Sequence, residues 1–180
     1  MMWANALLLA SYSLVDEVLE SRNGQPPPFT IPRLRFVKAA LATSMTRASI
    51  RGKSTASAPA VGRTYLIEER LEGSFKKYIH NAGGQPSASI LPDDEPYYTN
   101  ARFLSFTQHA QFELTSGLAF VSDYQGNGDL LTDPQILTSP TDFDSAALFG
   151  DGNLSAGFSN FPKTHECNDY CTYFDLPPFF

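Results

Sequence analysis

The chain is poor in cysteine and tryptophan, with two of the first and one of the second in 180 residues, and its 13 basic residues are outnumbered by 19 acidic ones. Two cysteines cannot build the disulfide framework of a small secreted domain. A net charge of −6 leaves no basic footprint, so a nucleic-acid partner is not expected. The opening apolar run, Trp3–Leu9, is far shorter than the roughly 20 residues a membrane helix needs. It also lacks a basic flank and leads into Asp16 and Glu17 rather than a small-residue cleavage site. These absences predict a soluble, intracellular (cytoplasmic) protein with no membrane partner.

What is abundant is aromatic: 14 Phe and 8 Tyr, enough for one well-filled core at this length, with two lobes at most. Leu8, Tyr12, Val15 and Leu19 recur at helical spacing between Asn5 and Glu20, and Asn23-Gly24 supplies a left-handed stop. After the stiff connector Pro26–Pro28, Leu34 and Phe36 alternate with charged residues over Pro32–Ala39, which predicts a strand. Residues 43–60 are rich in Ser, Thr and Ala without apolar period and read as a flexible loop. Within it Gly52-Lys53-Ser54 imitates the tail of a phosphate-binding loop, but Arg47 stands where that motif needs glycine. Thr64–Glu68 (TYLIE) is a short strand. With Thr99 as cap, Asn100–Thr115 predicts a helix burying Phe103, Leu104, Phe106 and Phe112 on one broad face.

Two stretches carry chemistry. In Val121–Pro134, VSDYQGNGDLLTDP, the carboxylates Asp123 and Asp133 flank a glycine-rich turn behind the apolar run Leu118–Val121. Acids at a strand's carboxyl end can hold a metal-bound phosphate or accept a proton from an attacking hydroxyl. The plainer alternative is an ordinary Asp-Gly turn. The second stretch is His165-Glu166-Cys167-Asn168-Asp169-Tyr170-Cys171. Cys167 and Cys171, four apart, are expected on one face of a helix, with His165 swinging to the same side as a third ligand for zinc. The fourth comes from His80 or His109, of which His109 is favoured because its helix looks buried. The competing reading is two free cysteines beside a surface histidine.

Taken in order, Tyr65-Leu66-Ile67-Glu68, Glu72-Gly73-Ser74-Phe75-Lys76-Lys77-Tyr78 with Asn81, Phe106-x-x-His109, Asp123-x-Gln125-Gly126, Leu131-Thr132-Asp133-Pro134-Gln135, Phe149-Gly150-Asp151-Gly152-Asn153-Leu154 and His165-x-Cys167-Asn168-x-x-Cys171 resemble the atypical alpha-type protein kinases. That group includes elongation factor 2 kinase and the myosin heavy chain kinases. The resemblance covers residues 5–176. It implies an α+β, two-lobed alpha-kinase-like fold with a shortened N-lobe and a zinc-stapled C-lobe, acting as an ATP-dependent serine/threonine kinase on protein substrates. Asp123 would be the catalytic acid, with Gln125 and Asp133 holding Mg2+ on ATP. Glu68 would lie at the adenine-contacting hinge, and Lys77 and Asn81 near the nucleotide. Gly150, Gly152, Asn153 and Gly157 would form a substrate-side glycine loop, and His109, His165, Cys167 and Cys171 would hold structural Zn2+.

The chain departs from that pattern in places. No lysine precedes Lys38, so the family's phosphate-binding lysine strand and glycine hairpin are expected to be missing. Tyr124 replaces the usual aliphatic residue, and Ile79 and His80 replace polar ones. The alternative expectation is therefore a catalytically impaired domain, a zinc-stabilised peptide-binding module. A third reading is a zinc protein unrelated to kinases.

Overall fold

The computed structural model describes residues 1–23, 25–46, 60–140 and 148–179. Met1–Phe36 with Leu71–Phe180 make one compact unit and Val37–Arg70 a second.

The second unit is an antiparallel ladder of β2 (Ala39–Thr46) and β3 (Ala60–Glu68), with Ala39 opposite Glu68 and Thr43 opposite Thr64. The predicted loop over 43–60 is thus corrected at both ends. Thr43–Thr46 and Ala60 belong to strands because the β-branched and aromatic run of β3 recruits a partner whose own composition carries little β signal. Residues 47–59, with the Gly52-Lys53-Ser54 imitation, lie outside the described residues. The expected TYLIE strand is present and starts four residues earlier.

The first unit opens with α1 (Met2–Ser21), whose Ala4, Leu8, Ser11, Tyr12 and Val15 form the buried stripe. Its stop is as expected at Asn23, which takes the left-handed conformation at φ 54°; Gly24 lies outside the described residues. The strand expected over Pro32–Ala39 shrinks to β1, Arg35–Phe36. Pro32 lacks a donor, and the hydroxyl of Tyr12 takes over this stretch, donating to the Pro32 carbonyl at 2.9 Å and accepting from the Leu34 N–H at 2.7 Å.

Four strands form one sheet in the order β1, β7 (Leu130–Thr132), β6 (Gln125–Asn127), β4 (Lys76–Lys77), with β1 parallel to β7 and the other pairs antiparallel. A separate antiparallel pair joins β5 (Ala119–Ser122) to β8 (Gln135–Thr138).

The central element is α2 (Tyr97–Leu114). Its cap is not Thr99, which lies in the first turn; the Glu95 carboxylate accepts both the Thr99 hydroxyl, at 2.9 Å, and the Thr99 N–H, at 3.4 Å. One broad apolar face was expected, yet from Asn100 to Gln111 every residue except Arg102 is buried. The helix is enclosed by α1, β5 and the C-terminal helix, so its polar side chains bind specific backbone groups instead of water. Ser105 donates to the Gly84 carbonyl at 3.0 Å and Gln108 to that of Val121 at 3.1 Å.

Two further helices close the chain, α3 (Ser155–Thr164) and α4 (Asp169–Tyr173), the latter capped by the Asn168 side chain. Most of the buried apolar residues form one core with α2 at its centre. A smaller aromatic cluster of Phe120, Phe158 and Phe161 with Leu137 packs Phe112 and Phe179 at its edge.

Candidate active site and metal centre

Strand pairing decides where the acids of VSDYQGNGDLLTDP go. Ser122 lies opposite Gln135 in the β5–β8 pair, and Gln125 lies opposite Thr132 in the β6–β7 hairpin. Asp123 follows the first strand of one pair and Asp133 precedes the second, so both reach the same end. Each has positive φ, 58° and 45°, a conformation that costs a non-glycine residue of order 1 kcal/mol and that aspartate tolerates better than most.

Lys77 on β4 completes the group. Its ammonium is 2.6 Å from Asp123 Oδ1, with the lysine side chain 26% and the aspartate side chain 16% exposed. It also donates to Gln125 Oε1 at 2.9 Å, and Gln125 Nε2 donates to Asp133 Oδ2 at 3.2 Å. Lys77, Asp123, Gln125 and Asp133 therefore form one continuous polar chain. The β6–β7 hairpin that carries Gln125 depends on glycine. At Gly126 (φ 158°) an added Cβ would sit 1.9 Å from the Leu130 carbonyl oxygen. Gly126→Ala is expected to break the hairpin and cost about 3 kcal/mol or more, read as a fall in melting temperature.

The predicted glycine loop is partly helix: Gly150–Gly152 is a single 3-10 turn, whereas Ser155–Gly157 opens α3. Asn81 Nδ2 donates to the Gly152 carbonyl at 3.1 Å, and Asn153 bridges to Thr138 at 2.9 and 2.6 Å. These bonds tie the turn to the segment after β4 and to β8. Among the described residues the buried Asn81 Oδ1 has no hydrogen-bond partner. Glu68 belongs to the second unit, where it is exposed at the end of β3.

The expectation that Cys167 and Cys171 share a helix is corrected. The Asn168 cap separates them, so Cys167 precedes α4 and is exposed while Cys171 is inside it and buried. The ligand set nevertheless converges, with one ligand atom each from His109, His165, Cys167 and Cys171 all within 4.8 Å of one another. Cys167 Sγ is 3.6 Å from His109 Nδ1 and Cys171 Sγ is 3.5 Å from His165 Nε2. Donors on a tetrahedral zinc with bonds of about 2.0–2.3 Å stand roughly 3.3–3.8 Å apart; these two pairs match that spacing, and the widest pair, at up to 4.8 Å, would draw in around an ion. The His165 Nδ1–H donates to the Gly84 carbonyl at 3.2 Å, which turns the Nε2 lone pair toward Cys171. Among the described residues no side-chain or backbone group within hydrogen-bonding geometry meets the buried Nε2 of His109. His80, the other candidate, faces Ser87 at 3.3 Å instead.

Burial pulls both imidazoles down to about 4, helped at His109 by neighbouring His165, and pushes the Cys171 thiol up to about 12. An unfolded histidine binds its proton near pH 6.5, so between there and about 4 the unfolded chain holds more protons than the folded one. Thermal melts of the zinc-free chain are expected to show stability intact above pH 6.5 and falling as the pH is lowered through that window.

With this geometry in hand, the comparison with known families is decisive: the model of the alpha-kinase family matches residues 11–171. The chain belongs to the alpha-kinase family. This sets aside a zinc protein unrelated to kinases. Human eukaryotic elongation factor 2 kinase is 38% identical over 116 residues, 64% of this chain and 14% of the relative. The human transient receptor potential cation channel subfamily M member 7 is 31% identical over 119 residues, 66% of this chain and 6% of the channel. Myosin heavy chain kinase C of Dictyostelium discoideum is 36% identical over 113 residues, 62% of this chain and 12% of the relative. The crystal structure of the apo alpha-kinase domain of myosin-II heavy chain kinase A superposes with a TM-score of 0.57 at 26% identity, over 98% of this chain and 58% of that one. Its ADP complex gives 0.56 at 25%, over 98% and 58%. This alpha-kinase chain thus spans a small part of its curated relatives and under three fifths of the solved domain. Among its described residues no helix is long and apolar enough to cross a membrane.

Several residues that build the candidate site carry no signal in the sequence. Ser122 donates to the Asn81 carbonyl at 2.7 Å, and Asn127 accepts from the Tyr97 hydroxyl at 2.9 Å. Gln135 fills the space where a Cβ on Gly152 would lie. None stands out by type or spacing; only the strand register brings them to the site.

Proposed function

We propose that this chain is an alpha-type serine/threonine protein kinase domain that transfers the γ-phosphate of ATP to protein substrates. The observation that carries the reading is the polar chain Lys77–Asp123–Gln125–Asp133, in a chain similar to named kinases and to a kinase domain solved with ADP. Asp123 is the acid that orients the substrate hydroxyl and takes its proton, and the Lys77 ammonium fixes the direction of that carboxylate. The amide oxygen of Gln125 and the carboxylate of Asp133 are hard oxygen donors suited to Mg2+, which when bound neutralises charge on the phosphates. Asn81 and the Gly150–Gly152 turn, joined by a hydrogen bond, form the substrate side. Glu68 is assigned to the adenine hinge through its place at the end of β3. The His109, His165, Cys167 and Cys171 cluster takes structural zinc.

The test is phosphotransfer from radiolabelled ATP, with and without Mg2+, to a mixed peptide library and to the chain itself. Label that requires Mg2+ and exceeds an Asp123→Ala control is expected. Equal labelling of the two proteins removes the kinase reading for this polypeptide.

A further inference from the structure

Strand β5 is hydrogen-bonded to β8 along one edge, and among the described residues no strand pairs with the other. Two glutamines of α2 occupy that edge. Gln108 Nε2 donates to the Val121 carbonyl at 3.1 Å, and Gln111 Oε1 accepts the Val121 N–H at 2.8 Å. Three residues apart, they share a helix face and act as a surrogate strand for one residue. The amide nitrogen of Gln111 continues past Val121: it donates to the Tyr124 hydroxyl at 3.2 Å and to Ser11 of α1, also at 3.2 Å. The Tyr124 hydroxyl further meets Thr107 at 3.2 Å. Ser11, Thr107, Gln108, Gln111 and Tyr124 are all fully buried, where an unpaired polar atom is costly.

This network brackets Asp123. Gln111 holds the residue two before it and the one after it. The Tyr124 carbonyl accepts the N–H groups of Tyr78 and Ile79 at 2.8 and 3.1 Å, fastening the far side of the turn to the segment that carries Lys77. Between these anchors Asp123 is held at φ 58°. That region is costly even for aspartate, and contacts on both sides of the turn offset the cost.

We propose that Gln111, acting through the buried hydroxyl of Tyr124, is a positioning residue for Asp123: it holds the left-handed turn that aims the carboxylate at Lys77. The inference rests on the kinase reading and adds to it. The other account of the network is that it merely satisfies buried polar groups. Thr107 separates the two accounts. It bonds the same phenol and is equally buried, yet among the described residues its hydroxyl makes no hydrogen bond to Val121 or to the Gln111 side chain, so losing it costs similar stability without freeing the turn.

The experiment compares Tyr124→Phe with Thr107→Val in the full chain by thermal melting, steady-state phosphotransfer, and amide hydrogen exchange of peptides covering residues 121–125. Both variants are expected to melt a few degrees lower. Tyr124→Phe is expected to lose roughly tenfold in kcat with KM for Mg-ATP within about twofold, and to exchange about tenfold faster over 121–125. Thr107→Val is expected to keep kcat within about twofold and wild-type exchange. Matching kcat and matching exchange in the two variants would overturn the proposal. If the unaltered chain transfers no phosphate, the kinase reading fails by itself, and the exchange comparison still decides whether Tyr124 holds the turn.

Discussion

Asparagine in place of Asp123 is expected to abolish most phosphotransfer, by a factor on the order of 10²–10⁴, while leaving the fold nearly as stable as before. The two halves of that expectation have separate causes. Asp123 is held at φ 58°, a region asparagine tolerates about as well as aspartate, so Asp123→Asn keeps the turn. It removes the proton acceptor and half of the ion pair with Lys77, whose ammonium retains Gln125 Oε1 at 2.9 Å. Alanine at this position is less informative, because it adds left-handed strain to the loss of the carboxylate. The measurement is the initial rate at saturating Mg-ATP beside a melting curve. More than a tenth of the wild-type rate in Asp123→Asn would show that this carboxylate does not take the proton.

The other large effect is expected at the histidine and cysteine cluster, which joins the middle of α2 to the segment between α3 and α4. The unaltered chain is expected to carry about one zinc, and Cys167→Ser to carry almost none. Cys167 is the informative position because it is exposed, whereas His109 and Cys171 are buried and substitution there also damages packing. Binding energy at such a site is folding energy, so chelation is expected to lower the melting temperature by well over ten degrees. Elemental analysis and circular dichroism read the two outcomes; purified chain free of zinc and insensitive to chelator would remove the site.

The cluster also shows how far a ligand set can be read without its geometry. Residue types and spacing pointed to four candidate side chains, and these do converge, but the stated route, two cysteines on one helical face, was mistaken. The Asn168 side chain accepts the N–H groups of Tyr170 and Cys171 at 3.0 and 3.4 Å, and so starts α4 between the cysteines. A single capping residue redirected the chain, and the four side chains still met. The loop expected over 43–60 failed at its ends for a related reason: the β-branched Thr43 and Thr46 lie in a Ser-, Thr- and Ala-rich run without apolar period, and a partner in register decided what composition left open.

Sequence alone determined α1, the existence of α2, the TYLIE strand, and the order of the acidic, glycine and histidine–cysteine blocks that mark an alpha-kinase. These are legible because helical periodicity, β-branched runs and short motifs are local properties of the chain. Tertiary structure alone decided that α2 is buried all round, that its glutamines replace a strand along β5, and that Lys77 closes on Asp123 at 2.6 Å. The physical reason is that a buried polar side chain takes whatever partner the packing leaves within reach. Gln111 is an ordinary helix residue until α1, β5 and Tyr124 surround it.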